Sequence, residues 1–382
     1  MDGRERAAAA HAAGGAVARV TRAVAGTHEA VTGVVRTGLT PLGPAGRLPF
    51  EASALMARIN FAAVETAARG VGAGAAPLLE ASAAPGTQPA SERPPAVAWL
   101  AALGAAFGDQ LVDDDRVRAL TVPMSFRHRG APVAFADAGP GSGAIVDPRP
   151  TVVVFVHGLG NHESVWGQSH LDVVDSHGAT GLTVRYTTGQ AIADSGAELA
   201  GLLGELVTTW PVAVERIVLV GHSMGGLVIR EGLAAGGAWR ERVSDVVTLG
   251  TPHAGAPLER VAVRGLALAS AWPVIAPIAA LGDERSTGIK DLGIADVADP
   301  VPGPDWHLVA ATLGSGGSGG VLGRVRSGAL GALGDGLVTL DSAFAVDERL
   351  TARRVVIDDA SHMALLDHPE AAEHLGQVLR RR

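Results

Sequence analysis

The stretch from Ile217 to Ile229 constrains this chain more than any other. The apolar run Ile217-Val218-Leu219-Val220 leads into Gly221-His222-Ser223-Met224-Gly225, and Gly226-Leu227-Val228-Ile229 follows. A short apolar run ending in glycine reads as a buried strand, and the run after it as a helix. A serine between glycines at such a junction sits in a strained turn, with its hydroxyl raised above the sheet. The N-terminus of the next helix favours negative charge developing at that point. The spacing alone is weak in a chain of 382 residues with 51 glycines. Gly316-Gly317-Ser318-Gly319-Gly320 satisfies it too, but no strand immediately precedes it, so it reads as a loop.

The surroundings of Ser223 repeat its pattern. Short apolar runs occur at Thr151–Val156, Leu182–Tyr186, Arg216–Val220, Val243–Leu249, Trp306–Thr312 and Arg353–Ile357. Helical periodicity falls at Ile192–Trp210, Leu227–Ala235 and Pro369–Arg381. Upstream, Val122–His128 and Pro132–Asp137 predict a hairpin turning at Arg129-Gly130. An opening hairpin followed by alternating strands and helices predicts an α/β fold, with a mainly parallel twisted sheet covered on both faces. Sites in such sheets form at the carboxyl ends of the strands. Three helical patterns precede this part: Val17 to Val34, Leu55 to Ala63, and Leu100 to Leu111. Breaks at Thr40–Pro44 and in the Pro-rich stretch Pro85–Pro95 separate them. The expected organisation is a helical region over 1–118 and an α/β domain over 119–382.

The chemistry-bearing residues fall just after strands. His157-Gly158-Leu159-Gly160 follows Val152–Val156. Acyl transfer needs two backbone N–H groups aimed at an oxyanion. Met224, after the serine, and Leu159, in the earlier loop, are the candidates. A serine nucleophile also needs a base and an orienting carboxylate. His362, in Ala360-Ser361-His362-Met363 after the last strand, is the expected base. His368 reads as a helix start, and His374 as a surface position within the last helix. The acid should lie between serine and base, and Asp335 in Gly334-Asp335-Gly336-Leu337-Val338 is the leading candidate, with Asp341, Asp305 and Asp283 as alternatives. Trp166, close behind the His157 loop, is the expected pocket contact.

Composition excludes several other chemistries. The formal net charge is −8, the wrong sign for a nucleic-acid surface. There are no cysteines, so disulfides and thiolate metal sites are ruled out. The lone lysine, Lys290, stands between Ile289 and Asp291, which leaves no Walker-type phosphate loop. Gly314, Gly316 and Gly319 match a dinucleotide fingerprint, but the required strand–helix continuation is missing. The 13 histidines form no H-E-x-x-H pattern, and no metal is expected. The uncharged run Gly265–Gly282 is interrupted by Pro273 and Pro277, and the first residues lack an apolar export core. A soluble, cytoplasmic protein is expected, with peripheral membrane association left open.

Taken together, these motifs resemble the α/β-hydrolases. His157-Gly158-Leu159-Gly160, Gly221-His222-Ser223-Met224-Gly225-Gly226, Thr251-Pro252-His253-Ala254-Gly255, Gly334-Asp335-Gly336-Leu337-Val338 and Ser361-His362 are similar to an esterase/lipase branch. That branch includes bacterial triacylglycerol lipases and the inositol deacylases of glycolipid anchors. The resemblance covers the chain from about residue 120 to its end. It implies an α/β-hydrolase fold with a Ser223, Asp335 and His362 triad, oxyanion donors Leu159 and Met224, and no cofactor. It also implies a cap inserted after the Thr251-Pro252-His253 segment, here 257–305. Trp272 in that cap and His222 beside the serine are further expected substrate contacts. The expected reaction is cleavage of carboxylic esters, of small molecules or lipids. Acyl transfer on the same triad, or ligand binding without catalysis, are the alternatives.

Overall fold

Among the described residues, the strand that leads into Ser223 lies in an eight-stranded sheet whose strands, counted along the chain, run in the order 2-1-4-3-5-6-7-8. The computed structural model describes residues 2–15, 17–18, 43–81, 92, 94–133, 145, 147–256, 286–294, 297–313, 334–346 and 350–381. The chain divides into two compact units. One holds α1 (residues 3–15), α2 (Gly43–Ala81) and the two ends of α3 (Pro94–Asp113). The other holds residues 101–109, in the middle of α3, and everything described from Val122 onward. In the first unit α1 and α2 meet at glycines. A Cβ on Gly14 would lie 2.5 Å from the Ala68 carbonyl oxygen, and one on Gly72 would lie 2.7 Å from that of Ala10. Among the described residues no helix is long and apolar enough to cross a membrane.

The second unit contains the sheet. The hairpin comes first: β1 (Ser125–His128) pairs antiparallel with β2 (Ala131–Pro132) across Arg129-Gly130. Both turn residues have positive φ, 50° and 82°, which suits a tight two-residue hairpin turn. Of the expected second strand Pro132–Asp137, Pro132 pairs with Arg127, and 134–137 lie outside the described residues. β1 also pairs antiparallel with β4 (Thr180–Arg185). The rest of the sheet is parallel: β3 (Thr151–Val156), β5 (Arg216–His222), β6 (Val243–Leu249), β7 (Asp305–Ala311) and β8 (Ala352–Ile357).

The uninterrupted apolar runs follow from burial on both faces. Val152, Val154 and Val156 of β3 point into one core, with Ile217 and Leu219 of β5. Val153 and Phe155 point into the other, with Val218 and Val220. The first core is closed by α5 (Ile192–Thr209), through Leu199, Leu203 and Leu206, and by α6 (Met224–Ala235), through Leu227 and Ile229. The second is closed by α4 (Gln168–Ser176), through Val174, and by α8 (Pro369–Leu379), through Ala371, Leu375 and Val378. α7 (Thr287–Ile294) belongs to this unit as well: Ser286 donates to the Ala105 carbonyl at 2.6 Å, and Thr287 to Asp109 at 3.0 Å. Of the expected cap at 257–305, residues 257–285, Trp272 among them, lie outside the described residues.

A polar network crosses the amino ends of the strands, opposite the site. Arg216 of β5 reaches Asp245 of β6 at 2.7 Å and donates to the carbonyls of Val378, Leu379 and Arg381 at the end of α8. Asp245 also receives Ser244 Oγ at 2.6 Å and lies 3.2 Å from His307 Nε2 of β7. The other nitrogen of His307 meets His374 Nε2 at 3.0 Å. His374 is therefore not the surface residue its place in the helix implied. It is 8% exposed, because the polar strand ends need a hydrogen-bonding partner where α8 covers them. Burial raises the Asp245 carboxyl, but hydrogen bonds from His307, Ser244 and Arg216 outweigh it and hold the group at about 2.

Burial also depresses five of the described imidazoles: His374 and His157 to about 4, His253 to about 3, and His162 and His170 below their ordinary value. In the unfolded chain each would titrate near 6.5. The unfolded state therefore binds more protons below that pH, and stability falls as pH drops through 6.5 towards 4. Thermal unfolding followed by circular dichroism is expected to give a Tm that declines steadily across this window. A Tm independent of pH from 7 to 4 would contradict the neutral burial of these rings.

Candidate active site

β5 hands over to α6 at Ser223, which adopts φ 55° and ψ −126°. A non-glycine residue in that region carries backbone strain of roughly 1–3 kcal/mol, and the surroundings must hold it there. Here the Ser223 N–H donates to the Leu249 carbonyl at the end of β6 (2.9 Å), and the Ser223 carbonyl accepts from Gly226 (3.1 Å). The flanking glycines let α6 approach the strands closely. A Cβ on Gly225 would sit 2.1 Å from the Val156 carbonyl oxygen, and one on Gly226 would sit 2.1 Å from Thr251 Oγ1. Met224 opens the helix, where backbone N–H groups have no partner within the helix.

The loop after β3 runs along the same turn. A Cβ on Gly158 would meet the Ser223 Cβ at 2.8 Å, so the loop backbone lies directly on the serine. Asn161 N–H closes the turn on the Gly158 carbonyl at 3.2 Å, and Gly160 N–H donates to Thr188 Oγ1 at 3.0 Å. Tyr186 donates to the His157 carbonyl at 2.7 Å, and its ring stacks on the His157 ring with centroids 4.6 Å apart. His157 Nδ1 lies 3.0 Å from the Gly158 carbonyl, which can only accept, so that nitrogen carries the proton. Leu159 lines an apolar pocket beside Ser223, with Pro252, Ala256, Leu292, Leu337 and Val338.

Asp335 and His362 meet across a buried contact. Asp335 Oδ2 is 2.6 Å from His362 Nδ1, and the two side chains are 1% and 3% exposed. The other carboxylate oxygen accepts the N–H groups of Leu337 (2.9 Å) and Val338 (2.8 Å), and the Asp335 carbonyl accepts the His362 N–H at 3.0 Å. The Asp-Gly turn and the histidine contact are thus one structure, with one oxygen serving each. The pair lies over Gly250: a Cβ there would be 2.9 Å from Asp335 Oδ2 and 3.1 Å from His362 Nδ1. Gly250 has φ +59° and directly follows Leu249, the residue that holds Ser223.

The alternative residues lie elsewhere. Asp341 is exposed in the helical turn Leu340–Ala343, and Asp305 is exposed at the start of β7, at the amino end of the sheet. Asp283 lies outside the described residues, as does the glycine run at Ser318. His368 caps α8, as its place before Pro369 implied. His222 and Trp166 are buried, at 0% and 4% exposure, and neither is on the pocket wall. Trp166 packs on Phe155 at 4.9 Å and meets the His170 and His222 rings edge-on.

Several contacts that support the site carry no signal in the sequence. Glu163, after the His157 loop, pairs with Arg185 of β4 in the interior, through Arg185 Nε at 2.8 Å and also Nη2. Burial pushes the Glu163 carboxyl up, but the Arg185 hydrogen bonds and charge prevail and hold it below its ordinary value. Residues 364–367, after His362, are stitched to the start of α4. Gly167 N–H donates to the Leu366 carbonyl (3.0 Å), Ser169 N–H to Asp367 (3.0 Å), and His170 Nε2 to the Leu365 carbonyl (2.9 Å). Burial depresses the His170 pKa, favouring the neutral ring.

The sequence profile of the PGAP1-like alpha/beta domain family matches residues 205–264, a span that includes the Ser223 turn and the Thr251-Pro252-His253 segment. Comparison with curated proteins finds no match. Among solved structures, the mature form of the Bacillus licheniformis lipase BlEst2 is similar at 20% identity and a TM-score of 0.43, over 65% of this chain and 96% of that one. The Pyrococcus furiosus esterase Pf2001 is similar at 16% identity and 0.41, over 62% and 84%. Aspergillus fumigatus lipase B follows at 13% and 0.39, over 70% and 57%. The sheet order, its parallel centre and the strand–turn–helix at Ser223 define an α/β-hydrolase fold.

Gly225→Ala tests the close approach of α6 to β3. The added methyl would meet backbone rather than a movable side chain, so strand or helix must shift. Overpacking of this kind costs about 1–3 kcal/mol. A lower urea midpoint with an unchanged m-value is the expected result.

Proposed function

We propose that this chain is a serine hydrolase that cleaves carboxylic esters. The observation that carries the reading is the buried Asp335–His362 contact of 2.6 Å, set over Gly250 beside the backbone that holds Ser223. An ionised carboxylate only accepts, so it holds the imidazole with its proton on Nδ1 and leaves Nε2 as the basic nitrogen. His362 then takes the Ser223 proton as Oγ attacks the ester carbonyl. The oxyanion of the tetrahedral intermediate is received by the N–H groups of Leu159 and Met224. His362 returns its proton to the leaving alcohol, and an acyl-serine remains. Water, deprotonated by the same imidazole, attacks the acyl-serine and releases the acid. Asp335 orients the ring throughout and stabilises its cation.

The acyl group has a place in the apolar pocket lined by Leu159, Pro252, Ala256, Leu292, Leu337 and Val338. Each methylene buried there contributes about 0.8 kcal/mol. Activity on p-nitrophenyl esters is therefore expected to rise with acyl length until the pocket is full, and Leu292→Ala to move that optimum to a longer chain. A profile unaltered by Leu292→Ala would place the acyl group elsewhere.

Ser223→Ala is expected to abolish turnover and labelling by a fluorophosphonate, with the fold intact. Asp335→Asn is expected to lower kcat by roughly 10³–10⁴-fold, because the imidazole loses its orienting anion. Wild-type rates in Asp335→Asn would remove this residue from the mechanism. Loss of labelling in Ser318→Ala would move the nucleophile.

A further inference from the structure

His222 is the residue immediately before Ser223, yet its side chain serves the other half of the site. Its ring is 0% exposed at the end of a strand that is apolar from Ile217 to Val220. A buried imidazole costs free energy unless it is hydrogen-bonded, and an aliphatic side chain would fill the space without that cost. His222 Nε2 lies 3.0 Å from the backbone carbonyl of His362, 140 residues away in the chain. The carbonyl can only accept, so His222 Nε2 carries the proton and donates it. The two rings pack with centroids 4.6 Å apart, and Trp166 meets the His222 ring edge-on at 6.4 Å.

We propose that His222 is a positioning residue that fixes the His362 imidazole relative to Ser223. The catalytic consequence of this role rests on the ester-hydrolase reading above; the geometry does not. Asp335 holds His362 at two points, the backbone N–H at 3.0 Å and Nδ1 at 2.6 Å. Both points belong to the loop that carries Asp335, so neither ties the base to the nucleophile. The bond from His222 supplies that tie. It joins the His362 carbonyl to a residue one peptide from Ser223, whose own backbone is pinned to Leu249. The separation of Oγ and the imidazole is then set by a short, stiff path through β5. The opposite side of the base loop is held in the same chemical way, by His170 Nε2 on the Leu365 carbonyl at 2.9 Å. Two buried imidazoles, one from the nucleophile strand and one from α4, thus donate to carbonyls of the segment that carries the base.

The test compares His222→Gln with His222→Asn in the full chain. The Gln amide nitrogen reaches about as far as Nε2, whereas the shorter Asn amide stops near the position of Nδ1. Misplacement of a catalytic group by about 1 Å costs on the order of a hundredfold. His222→Asn is expected to lower kcat tenfold to a hundredfold with KM unchanged and to slow fluorophosphonate labelling equally, while His222→Gln stays within about threefold of wild type. In proton NMR, the downfield resonance of the His362 Nδ1 proton on Asp335 should stay sharp in wild type and His222→Gln and broaden in His222→Asn. Wild-type kcat in His222→Asn overturns the proposal. So does equal loss in both variants, including failure of both to fold, and so does a rise in KM that points to substrate contact. If wild type itself neither turns over esters nor labels, the functional reading fails, and the NMR comparison alone decides whether His222 holds His362.

Discussion

The approach of α6 to the ends of β3 and β6 governs everything around Ser223. Gly225 lies so close to the Val156 carbonyl that even a methyl group would be 2.1 Å from its oxygen, and Gly226 lies equally close to Thr251. With the helix pressed this far in, the chain cannot leave β5 through a relaxed turn. Ser223 takes a positive φ instead, and a hydrogen bond to Leu249 holds it there. Strain at that residue is offset by the packing of a whole helix, whose Leu227 and Ile229 sit fully buried in the core. A local conformational cost is thus balanced by apolar burial over many residues, so the turn persists without any special property of serine.

Gly250 does for the other half of the site what Gly225 does for the first. It follows the residue that holds Ser223, donates its own N–H to the Val309 carbonyl at 2.8 Å, and leaves room above it for Asp335 and His362. β6 therefore works as a shared base plate. Its last residues contact the serine on one side and the imidazole–carboxylate pair on the other. The loop segments above it are then secured to one another by hydrogen bonds from Gly167, Ser169 and His170 to residues 365–367.

The two ends of the sheet solve different problems with the same residue types. At the amino end, Arg216, Asp245, His307 and His374 satisfy one another and the carbonyls at the end of α8. The network closes a helix onto strand ends. At the carboxyl end, Asp335 and His362 make one strong contact beside an apolar pocket that reaches Ser223. A buried histidine–aspartate pair is common to both. What distinguishes the functional candidate is a hydroxyl on a constrained turn, that of Ser223, at the same end of the sheet.

Much of this was legible in the sequence, because secondary structure here is written in short-range patterns. β3 and β6 coincide with the apolar runs Thr151–Val156 and Val243–Leu249, and the Arg129-Gly130 turn with its hairpin. Strands buried on both faces need continuous apolar residues, and a glycine-flanked serine after such a run admits few conformations. What lay beyond the sequence was which distant groups meet. Asp335, Asp341 and Asp305 are equally acidic as letters, and only the fold brings the first of them onto His362. His374 reads as an outward helix position until α8 is laid over the polar ends of β6 and β7. His222 reads as a neighbour of the serine, yet its side chain is directed at a carbonyl 140 residues away. Local periodicity determines the elements. The contacts between their ends depend on strand order and on how closely glycine lets the backbones approach, and both are properties of the assembled sheet.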